Sequence, residues 1–286
     1  VSNQTLKMAR IAGLGAAEAT DRMTNALRGF NMEINEINAN RVADVYSKLA
    51  AITASNVDEI STAMTKVASL ANSANMSFET TSAFLSQIIE TTRESAETAG
   101  TALKTIIARF TEVKDLYSTG QLLGADTEGE EINVNKVSIA LRSAGIELNK
   151  FLAGQETLDD IFLSLAKKWD TLELSQQRYI ATMAAGSRQQ SRFIAMMSDY
   201  SRTMELVSAA NNAAGAADEQ YAKTLDTLET KLTQLQNAWQ TFVSGILESD
   251  WIKFLVDLLT NIQFMEGKVV QQMSSSFLSN LPFFIC

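Results

Sequence analysis

We expect an all-α fold, a multi-helix array or bundle that ends in a long coiled-coil-like helix. Proline occurs once among the 286 residues, at Pro282, so nothing upstream of it forces a helix to stop. The dominant residues are Ala, Leu, Ser, Thr, Glu and Gln, and most of these favour helix. Hydrophobic residues make up 46% of the chain, which is enough for one large core or two modest ones.

Residues 1–117 form a first helical segment in this interpretation, divided by short polar breaks. Apolar residues between 42 and 52 recur at the spacing of one helix face. The segment SNVDE (55–59) is typical of a cap followed by acidic first-turn residues. Ser77 with Glu79 forms a similar start without a complete capping box. Small residues at 99–102 predict a place where a neighbouring helix approaches closely.

Residues 118–134 are acidic and rich in glycine, which predicts a loop, with a short strand as an option at 132–134. Clustered carboxylates in this loop offer the hard oxygen ligands of a cation site, at Asp126, Glu128, Glu130 and Glu131. Their spacing does not match an EF-hand loop. An exposed acidic loop is therefore the favoured interpretation.

Residues 135–215 resume the helical pattern as a second segment. Thr157 is placed to cap a helix whose apolar face ends at Trp169, and further helices are expected over 175–183 and 187–204, separated by Gly186. Four arginines lie near Gly186 in sequence, at 178, 188, 192 and 202. They either bind an anion or an acidic partner or are ordinary surface charge, and surface charge is the favoured alternative.

The strongest helical signal lies in residues 216–248, where large apolar residues recur in alternating steps of four and three. This ladder consists of Tyr221, Leu225, Leu228, Leu232, Leu235, Trp239, Phe242 and Ile246. The positions between them are mostly polar, so the pattern predicts one apolar seam about 38 Å long on a helix. The pattern alone leaves its partner open, either a second copy or other helices of the same chain.

Residues 249–286 form an amphipathic and apolar C-terminal segment whose role stays open. Its most apolar stretch, 251–262, is interrupted by Lys253 and Asp257, which favours an interfacial or core helix over a membrane span. Because the chain begins with Val1 and no leader precedes it, we interpret it as part of a longer protein.

The composition argues against most enzyme classes. The chain has no histidine, which removes the commonest general base and metal ligand, and its single cysteine is the terminal Cys286. We therefore expect no catalytic residues, no cofactor and no metal site. Asp159, Asp160 and Glu173 are carboxylates of the right type for glycoside hydrolysis, but nothing in the sequence places them around a cleft. The net charge of −9 argues against stable nucleic-acid binding.

Five sequence blocks together resemble the core region of tail tape measure proteins of long-tailed bacteriophages. They are AGTALK (99–104), LRSAGI (141–146), KKWD (167–170), AAGSRQQSRF (184–193) and AAGAADEQYAKT (213–224). The resemblance covers roughly residues 15–247, in the order found in that family. It implies a structural virion protein that occupies the lumen of the tail tube, sets tail length during assembly in the host cytoplasm, and takes part in genome delivery.

The resemblance also implies partners and favours self-association through the ladder, with a trimer as the expected state. The expected partners are the tail tube, distal tail or baseplate proteins, tail assembly chaperones and, at ejection, the host membrane. The alternative is a membrane-active helical delivery or pore-forming protein. Met-rich faces at Met183, Met196, Met197 and Met204 would allow the repacking that such a protein needs.

Overall fold

A computed structural model describes residues 2–118 and 131–247, and within these ranges it contains thirteen helices and no strand. The helices are α1 (Ser2–Ala12), α2 (Ala16–Gly29), α3 (Glu36–Ile52), α4 (Val57–Ser73), α5 (Phe78–Thr92), α6 (Ala96–Ser118), α7 (Glu131–Ser143), α8 (Asn149–Leu152), α9 (Leu158–Trp169), α10 (Leu174–Ala185), α11 (Gln190–Met197), α12 (Tyr200–Asn211) and α13 (Ala216–Leu247). The predicted all-α array is confirmed. The chain divides into two compact units, Val1–Thr224 and Leu225–Cys286.

The predicted helix starts are explained by side-chain caps. Asn56 and Glu59 form a reciprocal capping box at the start of α4. Ser77 accepts a hydrogen bond from the Thr80 amide at 3.1 Å, which caps α5 as expected. A capped start satisfies amide groups that have no partner within the helix, so each cap fixes where its helix begins.

Helix α5 lies at the centre of the first unit. Every residue from Phe78 to Ile89 is buried, and α5 contacts α3, α4, α6, α11 and α12. A helix that is covered all round needs polar side chains with internal partners, and Gln87 and Thr203 supply one such pair through a 2.9 Å hydrogen bond. The early and late helices of the unit therefore share one core.

Aromatic rings join the two halves of that core. Phe162 of α9 meets Phe84 and Phe110 edge to face, with centroid distances of 5.8 and 5.0 Å. Trp169 and Phe193 make a similar contact at 5.8 Å. All five side chains are at most 1% exposed, so they contribute a large share of the apolar surface that folding removes from water.

Two helix crossings depend on glycine. A Cβ built on Gly100 of α6 would lie 2.3 Å from the carbonyl oxygen of Ala63 in α4, and one on Gly29 of α2 would lie 2.4 Å from the Cβ of Ala68. The close approach predicted from the small residues at 99–102 is therefore confirmed. These crossings let α4 pack against both α2 and α6.

Two local predictions are wrong. Residues 132–134, considered as a short strand, lie in the first turn of α7. The single helix expected over 187–204 is broken between α11 and α12, because Asp199 adopts a positive φ of 63° and its side chain accepts a hydrogen bond from the Arg202 amide at 2.9 Å. The break also frees the Ser198 carbonyl, which accepts a 2.8 Å hydrogen bond from Gln87.

Candidate functional site

Helix α13 carries the predicted seam and, at 32 residues, is about 48 Å long. Its first turn is anchored in the first unit by Asp44 of α3. The carboxylate of Asp44 accepts hydrogen bonds from the amides of Gly215 at 3.0 Å and Ala217 at 2.9 Å. A negative charge at this end also interacts favourably with the helix dipole.

Further charges hold the same turn. Lys7 of α1 forms an ion pair with Asp218. Lys223 donates a 2.7 Å hydrogen bond to Glu219, which lowers the pKa of that exposed carboxyl. The base of α13 is thus connected to α1 and α3, although they lie about 200 residues earlier in the sequence.

The ladder beyond this base presents an exposed apolar face. Leu225 is 44% exposed, Leu232 59%, Leu235 65% and Trp239 52%. Tyr221, nearer the base, is half-buried, and the side chains of Leu228, Phe242 and Ile246 lie outside the described residues. A run of large apolar side chains at this spacing is typical of a helix that packs against a further helix.

The arginines near Gly186 bind acidic groups of the chain itself. Arg192 contacts both carboxylate oxygens of Glu94, at 2.5 and 2.8 Å. Arg202 does the same to Glu90 at 2.9 and 3.0 Å and also reaches the carbonyl of Ile52. The hydrogen bonds to the Glu90 carboxylate raise the pKa of Arg202, so its guanidinium stays charged.

The other two arginines of that group, at 178 and 188, are exposed. Arg109, which sequence reasoning missed, lies against Gly186 and donates a 3.1 Å hydrogen bond to the Met183 carbonyl. The acidic partner considered from sequence is therefore internal for Arg192 and Arg202. Arg192 and Arg202 thereby join α11 and α12 to the C-terminal end of α5.

The three carboxylates considered for hydrolysis all serve helix starts. Asp159 accepts hydrogen bonds from the amide and hydroxyl of Ser77, at 3.0 and 2.8 Å, and burial raises its pKa. Asp160 accepts from the Thr157 amide at 2.8 Å, and Glu173 precedes α10, where its amide donates to Gln176. The contacts of Asp159 and Asp160 are made by their carboxylates and that of Glu173 by its backbone amide, and the three belong to separate helix ends.

The acidic loop considered as a cation site lies outside the described residues, apart from Glu131 at the start of α7. Within 2–118 and 131–247, no cluster of three or more acidic or cysteine side chains has the geometry to hold a metal ion. A surface groove of about 300 Å³ lies beside the base of α13, where Arg41 binds the buried Glu79 at 2.5 and 2.7 Å. That ion pair engages two of the charged side chains that line the groove.

The methionines considered for membrane activity lie largely in the core. Met196 and Met197 are fully buried, and Met204 is 37% exposed. In the part of the chain that the structure describes, no helix is both long and apolar enough to span a bilayer. Packing explains the positions of Met196 and Met197.

The described residues thus form an all-α array followed by a long helix whose described ladder residues expose apolar surface. The chain belongs to the phage-related minor tail protein family, whose model matches residues 1–186. It is similar to the tape measure protein of Pneumococcus phage Dp-1, with 26% identity over 262 residues. That alignment covers 90% of this chain and 21% of the relative, so the chain spans about a fifth of the relative's length.

No solved structure matches the chain. The family match and the tape measure relative confirm the resemblance to phage tail proteins that the five sequence blocks predicted.

Proposed function

We propose that the protein containing this chain sets tail length during assembly, occupies the lumen of the tail tube, and leaves the tube when the genome is delivered. The observation that carries this proposal is the tape measure relative, which aligns with 90% of the chain. The long helix α13 supports it physically, because a helix converts residue number into length at about 1.5 Å per residue.

The proposed mechanism is that of a ruler. Tube subunits polymerise around the helical protein until its length is covered. Exposed apolar helix is unfavourable in water, so each added ring of tube removes apolar surface from solvent. Growth stops being favoured where that surface ends. Partners in this scheme are the tube, the distal tail or baseplate proteins and the tail assembly chaperones.

We propose that α13 pairs between copies in the assembled tail through the ladder Tyr221 to Ile246, with three copies as the expected state. Leu232 and Leu235 support this, since each exposes more than half of its side chain. A surface of this kind gains stability when another helix covers it. The acidic net charge of −9 also suits a tube through which DNA later passes, because like charges repel.

The first experiment places single cysteines on α13 in tails assembled from a Cys286→Ser background. Leu232→Cys lies on the ladder, and Thr230→Cys lies two residues away on the polar side as its matched control. Oxidation of purified tails is expected to cross-link copies at position 232 and not at 230. Equal cross-linking at both positions, or none at 232, would contradict pairing through the ladder.

The same tails test lumen occupancy. A membrane-impermeant maleimide too large to enter the tube is expected to leave Thr230→Cys unlabelled in intact virions. After genome release in vitro, the chain is expected to be lost from the tails and to become labelled. Full labelling in intact virions would show that the chain lies outside the tube.

A further inference from the structure

We propose that copies of this chain contact one another through the first unit, where an acidic knob of one copy docks on a basic face of the next. The knob consists of residues 33–37. The basic face consists of exposed residues of α7 and α10, namely Lys136, Ile139, Arg142, Leu174, Arg178 and Tyr179. Both surfaces lie within Val1–Thr224 and are exposed in the single chain, so its own fold covers neither of them.

The basic face takes its charge from two stretches of sequence without a carboxylate. No Asp or Glu occurs in 132–146 or in 174–198. Helix α7 packs directly against α10, which brings the two stretches side by side. Lys136, Arg142 and Arg178 are exposed and form no ion pair within the described residues. The face is therefore positively charged, although the net charge of the chain is −9.

Apolar side chains lie beside these cations. Ile139 is 50% exposed, Leu174 59% and Tyr179 41%. On α7, Ile139 lies three residues after Lys136 and three before Arg142, so the three share one side of the helix. The opposite side of α7 is buried in the core. Exposed apolar groups bordered by charge are typical of surfaces that bind another protein.

The knob combines the opposite charge with apolar groups of its own. Ile34 is 48% exposed and Ile37 78%, and the exposed Glu33 and Glu36 directly precede them. Glu33 accepts a 3.0 Å hydrogen bond from the Asn35 side chain, and neither carboxylate forms an ion pair within the described residues. The knob therefore offers negative charge next to exposed isoleucine, which complements the basic face.

Hydrogen bonds within the knob fix its conformation. Asn35 caps α3 by accepting from the Asn38 amide at 2.9 Å, and the Asn38 side chain donates to the Glu33 carbonyl at 2.9 Å. The chain enters this turn through Asn31, whose φ is 52°. A preorganised surface loses less conformational entropy on binding than a flexible loop does.

A second copy is the partner that these two surfaces favour, because each carries the charge that the other needs. The knob begins α3, which packs mainly against α1, α2, α4, α5 and α12, whereas α7 packs mainly against α6 and α10. Knob and face are thus different surfaces of one unit, and a contact between them is heterologous. Such contacts repeat from copy to copy and form a ring where the rotation closes. A ring of three copies rests on the proposed function; the contact itself does not.

The charge test uses the full chain with Leu232→Lys and Leu235→Lys, a background in which the ladder is disabled and association has to come from another surface. Glu33→Lys with Glu36→Lys in this background places like charges opposite each other. The dissociation constant between copies, measured by sedimentation equilibrium, is expected to rise by about tenfold or more. Circular dichroism checks that each variant remains helical.

The reciprocal pair on the basic face is Arg142→Glu with Arg178→Glu, and it is expected to weaken association by a similar factor. All four substitutions in one chain exchange the charges of the two surfaces, so association should return to within about threefold of the background. The control is Asp21→Lys with Glu97→Lys, which makes the same change in net charge on α2 and α6. The control is expected to associate like the background.

Disulfides show directly which surfaces meet. Two chains with Cys286→Ser, one carrying Ile37→Cys and the other Leu174→Cys and a longer tag, are mixed at micromolar concentration and mildly oxidised. A disulfide between the two different chains is expected. Disulfides only between identical chains would show that like surfaces meet, which overturns the heterologous contact.

The outcomes separate this contact from the proposed function. Weaker association in both charge pairs, with recovery in the fourfold variant, supports the contact. It is overturned by an equal loss in the control, by no recovery, or by a background chain that stays monomeric at millimolar concentration. The ladder has its own test, the cross-linking at position 232 in assembled tails, so either proposal can fail without the other.

Discussion

Asp44 and Ala217 lie 173 residues apart in sequence, and the carboxylate of the first accepts a 2.9 Å hydrogen bond from the amide of the second. Asp44 also accepts from Gly215, whose φ of 83° lies in the left-handed region that glycine adopts without strain. This contact joins the first turn of α13 to α3. The start of the long helix is therefore fixed by a residue from the early part of the chain.

Replacing Asp44 by alanine is expected to destabilise the first unit by about 0.5–2 kcal/mol, the usual range for the loss of a helix cap. Urea unfolding followed by circular dichroism measures this change. Asp44→Asn keeps an acceptor oxygen and should cost less. An alanine variant as stable as the parent would show that the Asp44 contact does not contribute to the free energy of unfolding.

Gly100→Ala is expected to destabilise the protein by about 1–3 kcal/mol, because the new methyl group would force α6 away from the backbone of Ala63. The neighbouring Thr101→Ala is the control, since its side chain is exposed on the same helix. Thermal unfolding of both variants measures the difference in their stability. Equal melting temperatures would mean that the α4–α6 crossing tolerates a wider spacing.

Tyr46→Phe is expected to leave stability unchanged or raise it by up to about 1 kcal/mol. Tyr46 is fully buried beside Phe78, and its hydroxyl has no hydrogen-bond partner among the described residues. Burial also raises the pKa of Tyr46, so the hydroxyl stays protonated. Removing an unpaired buried hydroxyl removes a desolvation cost. A loss of more than about 1 kcal/mol in chemical unfolding would reveal a partner.

The pH dependence of stability is expected to carry a contribution from Asp159. Burial raises the pKa of this carboxyl in the folded state above its ordinary value of 3.8, so the folded state binds the proton more tightly than the unfolded chain. The contribution of Asp159 to the free energy of unfolding therefore becomes more favourable as pH falls from neutral through the raised pKa, and this gain is complete near pH 3.8.

The comparison that isolates this effect is with Asp159→Asn, which carries no charge at any pH. Unfolding of both proteins between pH 7 and pH 4 should show the parent gaining stability relative to the variant as the pH is lowered. A difference that stays constant or changes in the opposite direction would show that the carboxyl is not perturbed by burial.

Much of the fold follows from local sequence patterns. The capped starts at 55–59, Ser77 and Thr157 were predictable because each places a short polar acceptor before acidic first-turn residues, although only the structure shows that Asn56 is the capping residue of the first. The close crossing at Gly100 was predictable from residue size. The length of α13 follows from an unbroken heptad ladder.

The features that sequence could not supply depend on long-range contacts. The break at Asp199 needs a positive φ, which no helical periodicity reveals. The pairing of Arg202 with Glu90 joins residues 112 positions apart, and both look like ordinary surface charge in sequence. The partner of the ladder also stays a prediction, since its spacing is the same whichever helix covers it.

The most direct test of the proposed length-setting role is the length of tails assembled with a longer α13. An in-frame duplication of residues 219–246 adds 28 residues, or four heptads, and keeps the ladder in phase. Electron microscopy of purified tails should show an increase in mean length of about 42 Å, at 1.5 Å per residue. Leu232→Lys with Leu235→Lys, which leaves the helix length unchanged, should lower the yield of tails but not the length of completed ones. Tails of unchanged length after the duplication would contradict a length-setting role for this helix.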